Sequence, residues 1–513
     1  MGGICYLVGA GPGDVGLLTL KAQKVIQRAD VIAYDFLINP VILNLARADA
    51  QLVRVGKRKG KHLVPQEKIS RMLVQWVKQK KCVVRLKGGD PFLFARGGEE
   101  IEVLAKSKCA FEIVPGVTAG IAAPAYAGIP LSHRDYNSTI TFVTGHEASA
   151  KEKTAVNWSA IAQLGGTIVI YMGMERLKEI VQRLRQEGMS EKKPVAVIQW
   201  GTWGRQKTVT AFLCDIAQKV KKEKLDAPAI IVIGDVVNFR KPFHWLEKKS
   251  LFGKKIVITR PRAQASRLRE LLEEKGADVW ELPTIKILPY TPRQKIDFGK
   301  YDWLIFASPN GVEHFFQWFL KKNDVRSLGK IKIAALGPAT ASAVEKFGLK
   351  ISLLPKTFTS AGLVQTWKKS SSSQRALYPC SNCARDEIKN GLRLKNVSVD
   401  HFLIYKTIPE KEDLCGIKEK ILREGADWII FTSSSAVENF HKGSWLHAHS
   451  FCERENLTPL RRTPHYASLG PVTSATLRRL GYSVHLQAGE SRLECLVEEL
   501  ERWFLKKRLM RAV

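Results

Sequence analysis

The sequence predicts an α/β protein in two successive domains, the second made of two similar lobes. Three observations predict it. Short β-branched runs alternate with amphipathic segments, the pattern of strands and helices in layers. A basic, aromatic connector, Asn238 to Gly253, interrupts that pattern, which restarts at Lys254-Lys-Ile-Val-Ile-Thr-Arg260. An internal repeat then appears. Asp302-Trp-Leu-Ile-Phe-Ala-Ser-Pro-Asn-Gly-Val-Glu-His-Phe315 recurs 125 residues later as Asp427-Trp-Ile-Ile-Phe-Thr-Ser-Ser-Ser-Ala-Val-Glu-Asn-Phe440. Ala334-Ala-Leu-Gly-Pro-Ala-Thr recurs 133 residues later as Ala467-Ser-Leu-Gly-Pro-Val-Thr. Two long copies mean two lobes, because a solenoid needs three or more short repeats. The expected division is residues 1–240, a linker at 241–253, and residues 254–513.

Each element follows from its pattern. Ile4–Val8 reads as a buried strand, Leu17–Ala29 as a helix and Val31–Tyr34 as a second strand. Val83–Leu86, Thr139–Thr144, Thr167–Tyr171, Val195–Gln199 and Ala229–Ile233 are further strands. Strands separated by helical stretches predict a largely parallel sheet in the first domain.

Composition limits the class. Of 513 residues, 45% are hydrophobic and 25% charged, which is globular composition and excludes disorder. The net charge is +32, and it divides evenly, +16 before residue 251 and +16 after it. A nucleic-acid arm would concentrate that charge. No helix-turn-helix or aromatic-basic RNA pattern accompanies it, so no nucleic acid is expected. An even excess suits a generally basic proteome or two sites for small acidic substrates. Nine scattered cysteines fit a reducing compartment. Only Cys380-Ser-Asn-Cys383 has metal or redox spacing, and no second ligand pair lies near it, so no metal is expected. The N-terminus lacks the form of a signal peptide, and no apolar run reaches bilayer length. The expected location is cytoplasmic, with no membrane partner.

In the first domain the chemistry lies in loops that follow strands. Gly9-Ala-Gly-Pro-Gly-Asp14 looks like a dinucleotide turn but has Asp14 where that pattern needs glycine. The glycines still allow a ligand to approach the backbone closely; a tight turn is the alternative. Lys87-Gly-Gly-Asp-Pro-Phe-Leu-Phe94 presents a carboxylate that can accept from a ligand amine or from loop amides. Pro115-Gly-Val-Thr-Ala119 and Pro130-Leu-Ser-His-Arg-Asp135 complete the set. Such loops gather at the carboxyl edge of a parallel sheet, where small ligands bind.

Over residues 3–245 these motifs, with Tyr34-Asp35, Val55-Gly-Lys-Arg58, Tyr171-Met-Gly173 and Gly201-Thr202, resemble the uroporphyrinogen-III C-methyltransferases. These belong to the S-adenosylmethionine-dependent precorrin methyltransferase class. The resemblance implies a two-lobed fold, usually homodimeric, and two successive ring methylations of an eight-carboxylate porphyrinogen to precorrin-2. It places cofactor contacts on Pro12, Gly88, Gly89, Asp90, Leu93, Thr118, Ala119, Met172, Gly201 and Ala229. By matched position it makes Asp35 the candidate base and Lys57 the candidate acid; a surface charge is the alternative for each. The family usually has Arg after this Asp, and here Phe36 stands there. Arg96, Arg134 or Lys57 is expected to supply the missing cation.

The second domain shows no triad, metal cluster or phosphate loop. Its hydroxyls recur in pairs, Ser308 with Ser433 and Thr340 with Thr473, each just after a strand. Helix capping is one role for them, and carboxylate binding at helix N-termini is the other. Ile258-Thr-Arg-Pro261, both Gly-Pro-x-Thr turns, Leu377-Tyr-Pro379, Ala384-Arg-Asp386 and Tyr405-Lys-Thr407 resemble uroporphyrinogen-III synthase. This implies two flavodoxin-like lobes on a two-stranded hinge, about 254–287 plus 408–510 and 288–407. The implied reaction cyclises hydroxymethylbilane with inversion of one ring and loss of water. Tyr405 matches the family's candidate acid, and Ser308, Thr340, Ser433 and Thr473 are the candidates for holding substrate. The whole reads as a fusion of consecutive tetrapyrrole steps. The alternative is a methyltransferase for another precorrin followed by a non-catalytic binding module.

Overall fold

The computed structural model describes residues 2–56, 64–146, 156–293, 295–410, 413, 416–443 and 463–512. Four five-stranded sheets organise the described chain. The first is wholly parallel, with order β3-β2-β4-β1-β5. Its strands are β1 (Ile4–Gly9), β2 (Val31–Tyr34), β3 (Gln51–Arg54), β4 (Cys82–Lys87) and β5 (Ala110–Val114). Tyr6, Val8, Ile32, Val84 and Leu86 pack into one core, and Cys5, Leu7, Val31, Ala33 and Val83 into the other. Burial on both faces explains why these strands read as continuous apolar runs.

The second sheet departs from the parallel expectation. It runs β6-β7-β10-β8-β9, from β6 (Ile140–Thr144), β7 (Thr167–Tyr171), β8 (Pro194–Gln199), β9 (Lys207–Phe212) and β10 (Ala229–Ile233). Only β6 and β7 are parallel; β10 opposes both β7 and β8, and β8 opposes β9. The physical reason is loop length. Residues 200–206 between β8 and β9 are too few for a crossover, so they make a hairpin. The predicted helix at 17–29 is also divided. Thr19 accepts the Ala22 amide at 3.1 Å and starts the helix Leu20–Arg28, leaving a separate turn at Val15–Leu17.

The connector is ordered and packed on the first domain. Arg240 pairs with Glu247 at 2.7 Å and donates to the Ala127 carbonyl at 2.8 Å, while Trp245 donates to the Ala125 carbonyl at 3.1 Å.

The third sheet is parallel, β12-β11-β18-β19-β20, and the fourth runs β13-β17-β16-β14-β15 with only β13 reversed. These strands are β11 (Lys255–Ile258), β12 (Asp278–Glu281), β13 (Ile285–Pro289), β14 (Trp303–Phe306), β15 (Lys332–Ala335), β16 (Gln374–Ser381), β17 (Val397–Pro409), β18 (Trp428–Phe431), β19 (His465–Ser468) and β20 (Leu486–Gln487). The antiparallel pair β13 and β17 carries the chain from one sheet to the other and back, with Ile285 opposite Pro409. The sequence repeat is a structural one: β14 and β18 each lead into a helix capped by serine, and Ser308 and Ser433 share φ −154° and ψ 153°. Among the described residues, no helix is long and apolar enough to cross a membrane.

Candidate active sites

In the first domain three strand-end loops meet through their backbones. Gly11 and Gly89 exchange amide hydrogen bonds at 3.2 and 2.8 Å. A Cβ on Gly116 would lie 2.4 Å from the Gly89 carbonyl, and one on Gly9 2.6 Å from the Gly116 Cα, so only glycine fits at these crossings. Asp90 accepts from the Phe92 amide at 2.8 Å and the Gly116 amide at 3.1 Å. Of the two uses foreseen for this carboxylate, the structure displays the loop-tying one.

The second lobe closes on these loops. The Tyr171 hydroxyl, at the end of β7, lies 2.8 Å from the Thr118 hydroxyl and accepts the Gly120 amide at 2.8 Å. Burial raises the Tyr171 pKa, with those two hydrogen bonds opposing. Phe94 packs on the Tyr171 ring, with Leu93 and Ala119 against the same core. Met172 follows with φ 53° and a half-exposed side chain. A Cβ on Gly201 would lie 2.3 Å from that of Ala123. The neighbouring Thr202 hydroxyl accepts the Asp14 amide at 3.1 Å, and the Trp203 indole donates to the Pro12 carbonyl at 3.2 Å. Tyr126 donates to Asp14 at 2.6 Å and Asn39 to the Gly13 carbonyl at 2.8 Å. Ala229 faces Gln199 in the β10–β8 pair, at the base of the same loop. Pro12, Gly88, Gly89, Asp90, Thr118, Ala119 and Gly201 are thus brought to one place, with Leu93, Met172 and Ala229 at its margin.

Beside it lies a buried charge network that the motifs did not reveal. Asp35, after β2, accepts from Arg85 at 2.6 Å. Arg85 also reaches Glu100 at 3.0 Å, Lys87 lies 3.3 Å from Glu100, and Gln66 donates to it at 2.9 Å. Arg85, Lys87 and Glu100 are buried, whereas Asp35 is partly open. Burial, and then the Arg85 cation, lowers the Lys87 pKa. One sequence signal did exist. Arg85 and Lys87 alternate with Val84 and Leu86 in an otherwise apolar central strand, where charges must be partnered. Lys57, the candidate acid, lies outside the described residues. At Phe36 the nearby cation is Arg54, whose guanidinium sits 4.9 Å from the ring centre. Arg54 was not among the expected substitutes, and one of those, Arg96, is paired with Glu99 at 2.6 Å.

In the second domain the turns after β11, β14, β18 and β19 gather at the carboxyl edges of their sheets. Tyr405 in β17 is buried, and its hydroxyl lies 3.1 Å from that of Ser308. Burial raises the Tyr405 pKa, so the phenol stays protonated at neutral pH. His314 stacks on it at 5.4 Å, and burial lowers the imidazole's pKa, which keeps the ring neutral. Ser308 and Ser433 cap helices, accepting from Gly311 at 3.2 Å and Ala436 at 3.3 Å. Thr340 and Thr473 do not: Gly337 and Gly470 hold the cap positions, and the threonines are buried in the first turns. Gln264 and Asn310 hydrogen-bond across the lobes. Arg260, after β11, makes no hydrogen bond or ion pair among the described residues, and burial lowers its pKa with no carboxylate opposing. Buried Cys380 has its thiol pushed up to about 11, while Cys383 is exposed. Among the described residues, no group of three or more His, Cys, Asp or Glu side chains is placed to hold a metal.

Sequence comparison places both halves among tetrapyrrole enzymes. Residues 5–217 match the model for Tetrapyrrole (Corrin/Porphyrin) Methylases, and residues 266–498 match that for Uroporphyrinogen-III synthase HemD. Porphyrin biosynthesis protein HemD of Ruminiclostridium josui is 36% identical over 445 residues, covering 85% of this chain and 88% of that protein. Uroporphyrinogen-III C-methyltransferase of Bacillus subtilis is 40% identical over 355 residues, 69% of this chain and 73% of that protein. Methanosarcina barkeri has an S-adenosyl-L-methionine-dependent uroporphyrinogen III methyltransferase that is 49% identical over 236 residues, 46% of this chain and 92% of that protein. A solved uroporphyrin-III C-methyltransferase of Thermus thermophilus, complexed with S-adenosylhomocysteine, is 35% identical over 46% of this chain and 99% of that one, at a TM-score of 0.40. The chain belongs to the tetrapyrrole methylase family in its first half and to the uroporphyrinogen-III synthase family in its second. It is a bifunctional enzyme of tetrapyrrole biosynthesis.

Proposed function

We propose that the second half cyclises hydroxymethylbilane to uroporphyrinogen III and that the first half methylates this product twice to precorrin-2. The observation that carries the reading is the pairing of both families in one chain, in the same order as a relative aligned over 85% of it. One half's product is the other's substrate, and both are octacarboxylates, which suits a +16 excess in each half.

S-adenosylmethionine fits the first site, where glycine backbones leave a floor without side chains and Met172 and Phe94 offer apolar walls. The cofactor supplies an electrophilic methyl group. Pro12, Gly88, Gly89, Thr118, Ala119 and Gly201 would hold it, and Asp90 sets the loops that would do so. The substrate's pyrrolic carbon forms the new C–C bond and a proton leaves the ring. Asp35, held in place by Arg85, receives that proton. Lys57 is the acid by position. Arg54 offers a carboxylate contact where Phe36 replaces the usual Arg.

In the second half the leaving hydroxyl departs as water. Tyr405 donates the proton, and Ser308 aligns the phenol. Arg260 binds a substrate carboxylate, because a partly buried guanidinium without an ion pair among the described residues gains most from one on the ligand. Ser433, Thr340 and Thr473 hold further polar groups. The test supplies purified protein with hydroxymethylbilane, with and without S-adenosylmethionine, and resolves products by isomer and mass. Type III uroporphyrinogen alone, and a dimethylated product with the cofactor, are expected. Type I product, or no methylation of type III, would contradict one half each.

A further inference from the structure

The loop between β8 and β9 has two faces, and only one belongs to the methylase site. On its inner face Gly201, Thr202 and Trp203 touch Ala123, Asp14 and Pro12. On its outer face it meets the end of the linker and the synthase half. The Gly253 amide donates to the Gly204 carbonyl at 2.9 Å, and a Cβ on Gly204 would lie 2.3 Å from the Ala277 backbone. Arg205 lies over Trp200 at 3.7 Å and Trp203 at 4.8 Å, with the Asp278 and Glu424 carboxylates of the synthase half acting on its charge. Asn44, near the same site, donates to Glu281 at 2.8 Å.

This loop is strained, and both halves of the chain restrain it. Trp200 and Thr202 sit at φ 50° and 73°, in the left-handed region that side chains disfavour. Each such residue costs about 1–3 kcal/mol and persists only where its surroundings fix it. The methylase half supplies the inner restraints, including Thr202 accepting nothing less than the Asp14 amide and donating its own amide to Gln206 at 2.9 Å. The outer restraints come from Gly253, Ala277 and the carboxylates beyond them.

We infer that the synthase half is a working part of the methylase cofactor site: its β12 edge grips the 200–205 loop from behind and holds Thr202 and Trp203 against the Pro12–Asp14 loop. The residues at this contact are positioning residues, and the inference rests on the reading of Pro12 and Gly201 as cofactor contacts. Coupling is reciprocal, so a ligand in the methylase site steadies the β12 edge in return.

The test uses the full chain and S-adenosylhomocysteine as the probe, with affinity measured by titration calorimetry. Asp278→Asn keeps an acceptor for the Trp280 indole, 2.8 Å away, but removes the charge that acts on Arg205. Gly204→Ala forces the loop off Ala277. Each is expected to weaken the probe's binding by about fivefold or more. The probe is also expected to slow hydrogen exchange at Ala277–Val279 in the wild-type chain, which a merely structural contact would not do. Asp278→Asn with affinity unchanged, or exchange at Ala277–Val279 indifferent to the probe, overturns the inference even if Gly204→Ala fails to fold. Asp90→Ala is run beside them: unchanged affinity there overturns the reading of the cofactor site instead.

Discussion

The two halves build their sites from opposite materials. The methylase half uses backbone crossings and buried charge: glycines at which a Cβ would lie 2.4–2.6 Å from the facing backbone, and Arg85, Lys87 and Glu100 sealed beneath Asp35. The synthase half uses hydroxyls, a phenol and a guanidinium, Arg260, that has no partner among the described residues. The difference teaches what each reaction asks of a protein. Methyl transfer joins two separate reactants and gains most from rigid alignment. Cyclisation joins two ends of one molecule, so holding that molecule folded and assisting the loss of water is enough.

The strongest way to break this contrast is Arg85→Met. It strips Asp35 of its 2.6 Å partner and leaves Glu100 with Lys87 and Gln66 alone. Breaking a buried pair costs about 3–5 kcal/mol, so melting of the first domain is expected to fall by roughly 10 °C and methylation to be lost. Calorimetric scans and methyl-transfer assays check both.

Arg260→Met is expected to act the other way on stability. The guanidinium is partly buried and has no ion pair among the described residues, so its removal raises the melting temperature by about 2 °C. The same change raises the Michaelis constant for hydroxymethylbilane about 10- to 100-fold, the worth of a charged hydrogen bond. A variant both less stable and unchanged in Michaelis constant would remove Arg260 from the site.

Lys420 stands beside the contact between the halves. Burial lowers its pKa to about 8, with Arg205 and Lys255 adding to the fall and Asp278 and Glu424 opposing it. Below pH 8 folded and unfolded chains both hold the proton. Between about 8 and the ordinary 10.5 only the unfolded chain does, so stability rises with pH across that window. Denaturation at pH 7.5 and 9.5 is expected to show a gain of about 1–3 kcal/mol that Lys420→Met abolishes. The smallest effect is expected of Phe36→Arg. Arg54 already stands over that ring, so the porphyrinogen Michaelis constant changes by less than about fivefold.

Much of this was legible in the sequence. The two lobes of the second half follow from a repeat that reappears as identical backbone angles at Ser308 and Ser433. The glycine loops were visible because no other residue fits where they cross. What sequence pattern concealed is what depends on distant partners. The reversal of β9 and β10 needs the length of one hairpin loop to be weighed against strand-helix alternation. Glu100 looks like a surface charge until the helix that carries it is packed against β4. Thr340 and Thr473 repeat as faithfully as the serines, yet glycines hold the cap positions and the threonine side chains are buried.

Each half carries its own reaction chemistry, and Tyr405→Phe tests this most directly. Tyr405 stands in β17 with Ser308 and His314, all in the synthase half. Supplied with hydroxymethylbilane, the variant is expected to form uroporphyrinogen III about 100-fold more slowly. Supplied with uroporphyrinogen III and S-adenosylmethionine, it is expected to methylate at the wild-type rate. Loss of both activities together, or of neither, would contradict the account.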